Sequence, residues 1–423
     1  MRKRIVLAIP PACLAVFLYL LCGSAFAQTT PESVNEPLQN PFELKSGDRV
    51  VFLGNSLFED DFQYGYLELA FTTRWPERDV TFRNLGWTGD NVFGVARSTI
   101  TNPPTGYDLL MEHITKAQPT VVFLGYGGIE AQEGEAGLAT FKDGLTKLLD
   151  KIDQLGARAI LVSPIPILSA DSVESLTKRN AMLERYSATI AKMAEERGKR
   201  FVDVYKPIQA VRQTLALSED GIHLNEAGYF YLATILEKAL GLPPRMKPAT
   251  ITIVKTTAEA AAGETAAPVK LLETDASKGH LTFTIDEPYL PLPLPIDETS
   301  VAAKGAQVLK IAGLKKGIYT LTTDDSEVIT ASASQWEAGI NIKQGPSFEQ
   351  VRELQHMILK KNELFFFQYR PLNTTYILGM RAHEQGRHAK GLEEQSLIIK
   401  WLEGQIAQNR LPKPKVYKLT HLK

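Results

Sequence analysis

Four consecutive apolar residues, Val50-Val51-Phe52-Leu53, run without alternation into Gly54-Asn55-Ser56. A strand with one wet face alternates apolar and polar residues, so an unbroken run predicts a strand buried on both faces, as in the middle of a parallel sheet. Gly54 permits a tight turn where such a strand ends, and open α/β sheets bind their ligands at the carboxyl ends of the strands. Ser56 then stands at the mouth of the sheet, at the start of a helix. A serine there is either a nucleophile or an ordinary helix cap, and this stretch alone does not separate the two.

The same rhythm continues along the chain. Arg49–Gly54, Val80–Asn84, Thr120–Gly125, Ala159–Ser163 and Phe201–Val204 read as strands. Helices are expected over Tyr64–Arg74, Phe141–Leu155, Leu176–Arg197 and Glu226–Leu240, the second marked by Leu145, Leu148, Leu149 and Ile152 at helical spacing. Alternation of this kind predicts an α/β domain over residues 45–245, built on a doubly wound, parallel, five-stranded sheet of flavodoxin-like type.

Composition shifts after Pro243-Pro244. Thr257–Pro268, rich in Ala, Thr and Glu, reads as a loop. Leu281–Ile285, Gln307–Ile311, Ile318–Thr322 and Glu327–Ala331 read as short strands, giving an all-β segment over 246–345. The alternating Leu290-Pro291-Leu292-Pro293-Leu294-Pro295 is expected to run extended along a sheet edge. A C-terminal helical and docking segment follows over 346–423. Leu354, Ile358 and Leu359 share one helix face, Leu364–Tyr369 is either an aromatic strand or a packing segment, and Gln395–Arg410 forms the last helix.

The N-terminus bounds where the chain works. Met1-Arg2-Lys3-Arg4 precedes an apolar stretch, Ile5 to Leu21, and Ala25-Phe26-Ala27 offers a small-residue cleavage site. This predicts a cleaved signal peptide over 1–27, a tether over 28–44, and a secreted or periplasmic product with no membrane partner once the signal is removed. Pro10 and Pro11 interrupt the apolar run and argue against a spanning helix. Both cysteines, Cys13 and Cys22, lie inside the signal, so disulfides, thiolate catalysis and cysteine metal sites are excluded from the mature chain. Lipidation at Cys22 is disfavoured because Leu21 stands where a small residue is needed. The 47 basic and 48 acidic residues nearly cancel, which argues against nucleic acid as a partner.

Asp220 and His223 lie three residues apart just before the helix at Glu226. A nucleophilic serine needs an imidazole to take its proton, and the imidazole needs a carboxylate to hold its tautomer. An isolated Asp-x-x-His is weak evidence, since such pairs are usually caps or solvated turns. Joined to Gly54-Asn55-Ser56 on the first strand, it is much more specific.

With these residues the chain resembles the SGNH (GDSL) hydrolase family over roughly Ser46 to Leu242. The first block reads Gly54-Asn55-Ser56-Leu57, with Asn where the family has Asp; the glycine block reads Asn84-Leu85-Gly86; the last reads Asp220-Gly221-Ile222-His223. The resemblance implies an esterase mechanism without cofactor or metal, acting on a small-molecule or carbohydrate ester. Ser56 would be the nucleophile, His223 the base and then the acid, Asp220 its orienter, and the Ser56 and Gly86 N–H groups the oxyanion donors. Where the family has Gly-x-Asn-Asp, this chain has Gly127-Gly128-Ile129-Glu130, and isoleucine cannot donate. Loss of one such donor lowers kcat about 10²–10³-fold. Asn91, Tyr126 and Gln132 are the neighbours named by the sequence as replacements. The alternative is a degenerate domain of the same type that binds a carbohydrate or ester without turnover. A nucleotide-binding reading is weaker, because neither Gly-x-Gly-x-x-Gly nor Walker spacing occurs at Gly54.

The stretch from Asn362 to Gly386 resembles the C-terminal part of secreted SGNH-like proteins of planctomycete type. Arg370, in Tyr369-Arg370-Pro371, is expected either to pair with a ligand carboxylate in a docking loop or, the more ordinary role, to stitch this tail to the main domain. His383-Glu384 and His388 suggest a metal site, but Gly386 between them and the lack of further carboxylates argue against it.

Overall fold

Val50, Val51, Phe52 and Leu53 are all fully buried, as their unbroken apolar run requires. They belong to β1 (Arg49–Gly54), which pairs in parallel with β2 (Thr81–Asn84) on one side and β3 (Val121–Gly125) on the other. Adding β4 (Arg158–Val162) and β5 (Arg200–Val202) gives a five-stranded parallel sheet in the order 2-1-3-4-5. The expected α/β doubly wound architecture is therefore present. In this order the chain reverses direction between β1 and β3, and the crevice at their carboxyl ends is the ligand position in such sheets.

The computed structural model describes residues 41–97, 104–255, 257–275, 279–295, 307–324, 326–371 and 387–422. The signal peptide expected over 1–27 lies outside the described residues, as does most of the tether. The tether's last residues are not loose: Phe42 and Leu44 are buried, and the Phe42 N–H donates to Leu240 O at 2.9 Å.

Two glycines let the central strands close up where the site will form. Gly54 pairs with Gly125 across β1 and β3. A Cβ on Gly54 would lie 2.3 Å from Gly125 O, and one on Gly125 would lie 2.7 Å from the Phe58 ring. Beneath them Phe52, Phe58, Phe71 and Phe123 pack with ring centroids 5.1–6.3 Å apart. Burying each of these side chains contributes on the order of 1.5–3 kcal/mol.

Helices cover both faces: α1 (Ser56–Glu59), α2 (Tyr66–Arg74), α3 (Gly106–Ala117), α4 (Leu138–Gln154), α5 (Val173–Glu196), α6 (Tyr205–Val211) and α7 (Glu226–Ala239). All nine residues of α2 are buried, polar ones included. That burial is tolerable because each charge has a partner. Glu68 is held by Lys361, and Arg74 by Glu237.

Beyond residue 245 the chain builds two further sheets. One has the order β13-β10-β6-β7, from β6 (Ala249–Val254), β7 (Thr257–Ala260), β10 (Gln307–Ala312) and β13 (Ile340–Ile342). The other has the order β12-β11-β14-β9-β8, from β8 (Val269–Asp275), β9 (His280–Ile285), β11 (Ile318–Thr323), β12 (Ser326–Ser332) and β14 (Tyr417–Leu422). The C-terminal β14 is thus the central strand of a sheet whose neighbours come from the β-rich segment. Three helices accompany them: α8 (Ala333–Ala338), α9 (Pro346–Tyr369) and α10 (Arg387–Asn409).

One expectation is corrected here, and two are made specific. Thr257–Ala260 is a strand, not a loop, because its short side chains pair antiparallel with Ile251–Val254. Leu364–Tyr369 is helical: Phe365 and Tyr369, four apart, stack at 5.2 Å, while Phe366 meets Phe62 at 5.0 Å. The Leu-Pro run is packed inward. Leu290, Leu292 and Leu294 are buried, and side chains satisfy its carbonyls: Tyr66 Oη donates to Pro293 O and Arg245 to Leu290 O, both at 2.9 Å. Proline has no N–H for a ladder, so side-chain donors take the place of a neighbouring strand.

Candidate active site

The turn after β1 is capped by Asn55, not by the serine. Asn55 Oδ1 accepts from Leu57 N at 3.1 Å, and its carbonyl accepts from Phe58 N and Glu59 N at 3.2 and 3.1 Å. Ser56 is therefore the first residue of α1, half-buried, with its hydroxyl free of capping duty. Tyr229 in α7 fastens this turn from the other side, donating to Leu57 O at 2.9 Å.

The opposite wall comes from the loop before α7. Asp220 Oδ1 accepts from the backbone N–H groups of Ile222 and His223, each at 2.8 Å, and Oδ2 meets His223 Nδ1 at 2.6 Å. Burial alone raises the Asp220 pKa, but the bonds from the His223 ring and these two N–H groups outweigh it and hold the carboxyl well below the usual range. Gly221 makes the loop possible. Its φ is +80°, its carbonyl accepts from Leu168 N at 2.7 Å, and a Cβ would lie 2.0 Å from Ser169 Oγ.

Ser56 and His223 line one cavity of about 120 Å³, together with Asn55, Gly128, Ile129 and Gln132. Much of the rest of its wall is apolar, from Pro164, Ile165, Pro166, Ile167, Leu183 and Ile222, and the exposed Arg179 also lines it. A second, more open cleft of about 370 Å³ adjoins it at Asp60, His223 and Leu224; Gln63, Tyr64, Glu219, Asp220 and Asn225 complete its walls. The structure thus brings Ser56, Asp220 and His223 to one place from loops more than 160 residues apart.

Gly86 is placed elsewhere. It is absent from both cavity walls, its N–H donates to Asn84 Oδ1 at 2.9 Å, and its carbonyl accepts from Tyr369 Oη at 2.9 Å. A Cβ on it would lie 2.3 Å from Glu59 N, so it packs behind α1. The N–H expected as an oxyanion donor is here bonded to the asparagine two residues earlier.

Of the replacements named for Ile129, only Gln132 lines the cavity. Asn91 Oδ1 accepts from Phe93 N at 3.0 Å, and Tyr126 Oη donates to Asp90 Oδ2 at 3.2 Å inside a buried group with Arg97. Glu130, beside Ile129, is a backbone clip: its oxygens accept from Val92 N at 3.0 Å and Gly127 N at 2.8 Å. Burial pushes its pKa up, against the pull of those bonds.

Arg370 pairs with Glu59 Oε1 at 2.7 Å and lies 3.9 Å from the Trp87 ring centre, so it stitches the C-terminal segment to the back of α1. His383 and Glu384 lie outside the described residues, and so does the side chain of His388. Among the described residues, no group of three or more His, Cys, Asp or Glu side chains is placed to hold a metal. No helix among them is long and apolar enough to cross a membrane.

Asp60, which the sequence gave no reason to single out, lines both cavities. Burial first, then the nearby Glu59 and Asp220 charges, push its pKa up to about 6 against the opposing pull of His223. The folded state therefore holds this proton more tightly than the unfolded chain, and stability falls as pH rises from about 4 to about 6. Asp60→Asn removes that loss. It is expected to leave stability near wild type at pH 4 and to add about 1 kcal/mol at pH 8, allowing for solvent screening at a partly exposed group. Urea unfolding at the two pH values measures it, and an equal effect at both contradicts the assignment.

Residues 52–230 match the model of the GDSL-like Lipase/Acylhydrolase family. No curated protein matches the chain. Among solved structures, the chain is similar to BT4096, a gut microbial diltiazem-metabolizing enzyme, at 19% identity and a TM-score of 0.69, over 91% of this chain and 100% of that one. That likeness extends the shared fold beyond the parallel sheet into the β-rich and C-terminal parts. Axe2, an acetylxylan esterase from Geobacillus stearothermophilus, aligns at 19% identity and a TM-score of 0.40, over 48% of this chain and 98% of that one. The family match over residues 52–230, on a parallel sheet in the order 2-1-3-4-5, identifies this part of the chain as an SGNH/GDSL-type hydrolase domain.

Proposed function

We propose that this domain is a serine ester hydrolase, with Ser56 as nucleophile, His223 as general base and acid, and Asp220 as the group that orients His223. One observation carries the reading: an imidazole bonded at 2.6 Å to a carboxylate shares a cavity with a serine hydroxyl at the carboxyl end of β1. Nδ1 keeps its proton toward Asp220, which leaves the Nε2 lone pair as the base. Ser56 Oγ adds to the ester carbonyl carbon as its proton passes to Nε2. The tetrahedral adduct then collapses, the C–O bond to the alcohol breaks, and the alcohol leaves with the proton from Nε2. Water repeats the sequence on the acyl-serine, and the carboxylic acid and free Ser56 are released.

The walls divide the substrate. The apolar walls Ile165, Ile167 and Leu183 suit the acyl group, and the polar cleft at Gln63, Glu219 and Asn225 suits an alcohol rich in hydroxyls, such as a sugar. No cofactor enters this scheme. The signal-like N-terminus supports action outside the cytoplasm, with the hydrolase domain over 45–245 carrying the β-rich segment 246–345 and the C-terminal segment 346–423.

A fluorophosphonate tests the reading directly, because it phosphonylates a serine only when a neighbouring base activates it. Incubation with such a probe, followed by peptide mass analysis, is expected to place the adduct on Ser56. Intact protein without adduct, together with no turnover of p-nitrophenyl acetate, sinks the proposal and favours a domain that binds without hydrolysis.

A further inference from the structure

A tetrahedral oxyanion beside Ser56 needs donors in place before the reaction begins. Ser56 N–H, in the first turn of α1 where helix N–H groups lack intrahelical acceptors, is one. Gly86 N–H is committed to Asn84, and Ile129 presents only hydrocarbon. Of the three donors expected from the family pattern, that leaves Ser56 N–H. The wall of the same cavity contains one more.

Asn55 is 7% exposed and lines the cavity. Its amide cannot turn over freely. Leu57 N–H demands an acceptor, which fixes Oδ1 on the helix side at 3.1 Å and directs Nδ2 the other way. Nδ2 donates to no described residue. It lies 3.3 Å from the point where a Cβ on Gly128 would stand, so the missing side chain at Gly128 keeps it open to the cavity. With its oxygen committed to the cap, the amide has an N–H end left over that a ligand in the cavity can reach. Gln132, also on the cavity wall, is exposed and has no such anchor.

We propose that Asn55 is a catalytic residue: its Nδ2, held by the Leu57 cap, donates to the oxyanion beside Ser56 N–H and supplies the bond that Ile129 cannot. The amide reaches the Gly128–Ile129 corner from the β1 side of the crevice. One side chain thus both caps α1 and binds the transition state, which ties the position of the nucleophile to that of its oxyanion donor.

This inference rests on the esterase reading, and the experiment separates the two. Asn55→Asp and Asn55→Ser both keep an oxygen to accept from Leu57 N–H, so both are expected to fold with melting temperatures close to wild type. Both lose the amide. With p-nitrophenyl acetate, kcat is expected to fall about 10²–10³-fold in each, with KM changing no more than about threefold, because the oxyanion exists in the transition state and not in the bound ester. Agreement between the two variants excludes the new aspartate charge as the cause. Adding Ile129→Asn to Asn55→Ser places an amide at the same corner from the β3 side and is expected to restore kcat at least about tenfold. A cap with no part in the chemistry would show no such rescue. The inference is overturned if the folded variants keep more than half of wild-type kcat, if the loss appears only in KM, or if Gln132→Ala carries the loss instead. In each of those cases wild-type turnover leaves the esterase reading standing. A wild-type protein that neither hydrolyses the ester nor takes the fluorophosphonate overturns both.

Discussion

Replacing Ser56 by alanine is expected to lower kcat for p-nitrophenyl acetate by about 10⁴–10⁶-fold, because removing the nucleophile disables base and orienter together. His223 and Asp220 then have no hydroxyl to activate, and only binding and the oxyanion donors remain. Melting temperature is expected to move little. The side chain caps nothing, since Asn55 accepts from Leu57 N, and Tyr229 holds the turn through the Leu57 carbonyl. Steady-state kinetics on a variant shown to be folded measure the effect. More than about a tenth of wild-type kcat in that variant excludes Ser56 as nucleophile. The same substitution is expected to abolish fluorophosphonate labelling, which ties the kinetic loss to one atom.

The largest expected effect on stability lies away from the site. Lys361, on α9, is fully buried; its Nζ bonds Glu68 Oε1 and Oε2 at 2.6 and 2.7 Å and Phe82 O at 3.2 Å. Asn362 adds a bond to Glu68 Oε2 at 3.0 Å. This cluster fixes the C-terminal segment to α2, the helix buried on all sides beneath the nucleophile turn. Lys361→Ala leaves a buried carboxylate uncompensated and is expected to cost about 3–5 kcal/mol. Replacing the pair together, Glu68→Leu with Lys361→Met, is expected to restore most of that loss, since the ions cancel each other's burial rather than drive folding. Urea unfolding of both variants measures this. A loss under about 1 kcal/mol for Lys361→Ala shows the pair to be wetter than its burial implies.

How much of this was legible in the residues depended on how far apart the deciding atoms lie in the chain. The parallel sheet was legible because each strand's burial is written into a few neighbouring side chains. The Asp220–His223 pair was legible because three residues span it. Leu364–Tyr369 was ambiguous because an aromatic run suits either period, and its helical outcome follows from contacts with Phe62 and from the stacking of Phe365 on Tyr369. The strand at Thr257–Ala260 was missed for a related reason: its Ala- and Thr-rich composition carries no apolar signal, and pairing with β6 decides it. β14 is decided by its two neighbouring strands, both more than 90 residues earlier in the chain.

The sequence by itself determined the α/β class, the place of Ser56 at the carboxyl end of β1, the Asp-x-x-His loop, and the isoleucine at position 129. Each follows from local rules of backbone sterics, burial pattern or side-chain chemistry within a few residues. Only the tertiary structure decided which donors face the cavity. Gly86 and Asn55 both precede or begin a loop at a strand end, and nothing in their neighbours ranks one above the other. The choice came from partners elsewhere in the fold: Asn84 and Tyr369 occupy Gly86, while Leu57 takes one end of the Asn55 amide and the bare Cα of Gly128 leaves the other end open. A hydrogen-bond donor can serve a transition state only if no other atom has claimed it, and that is settled by the packing of every segment around it.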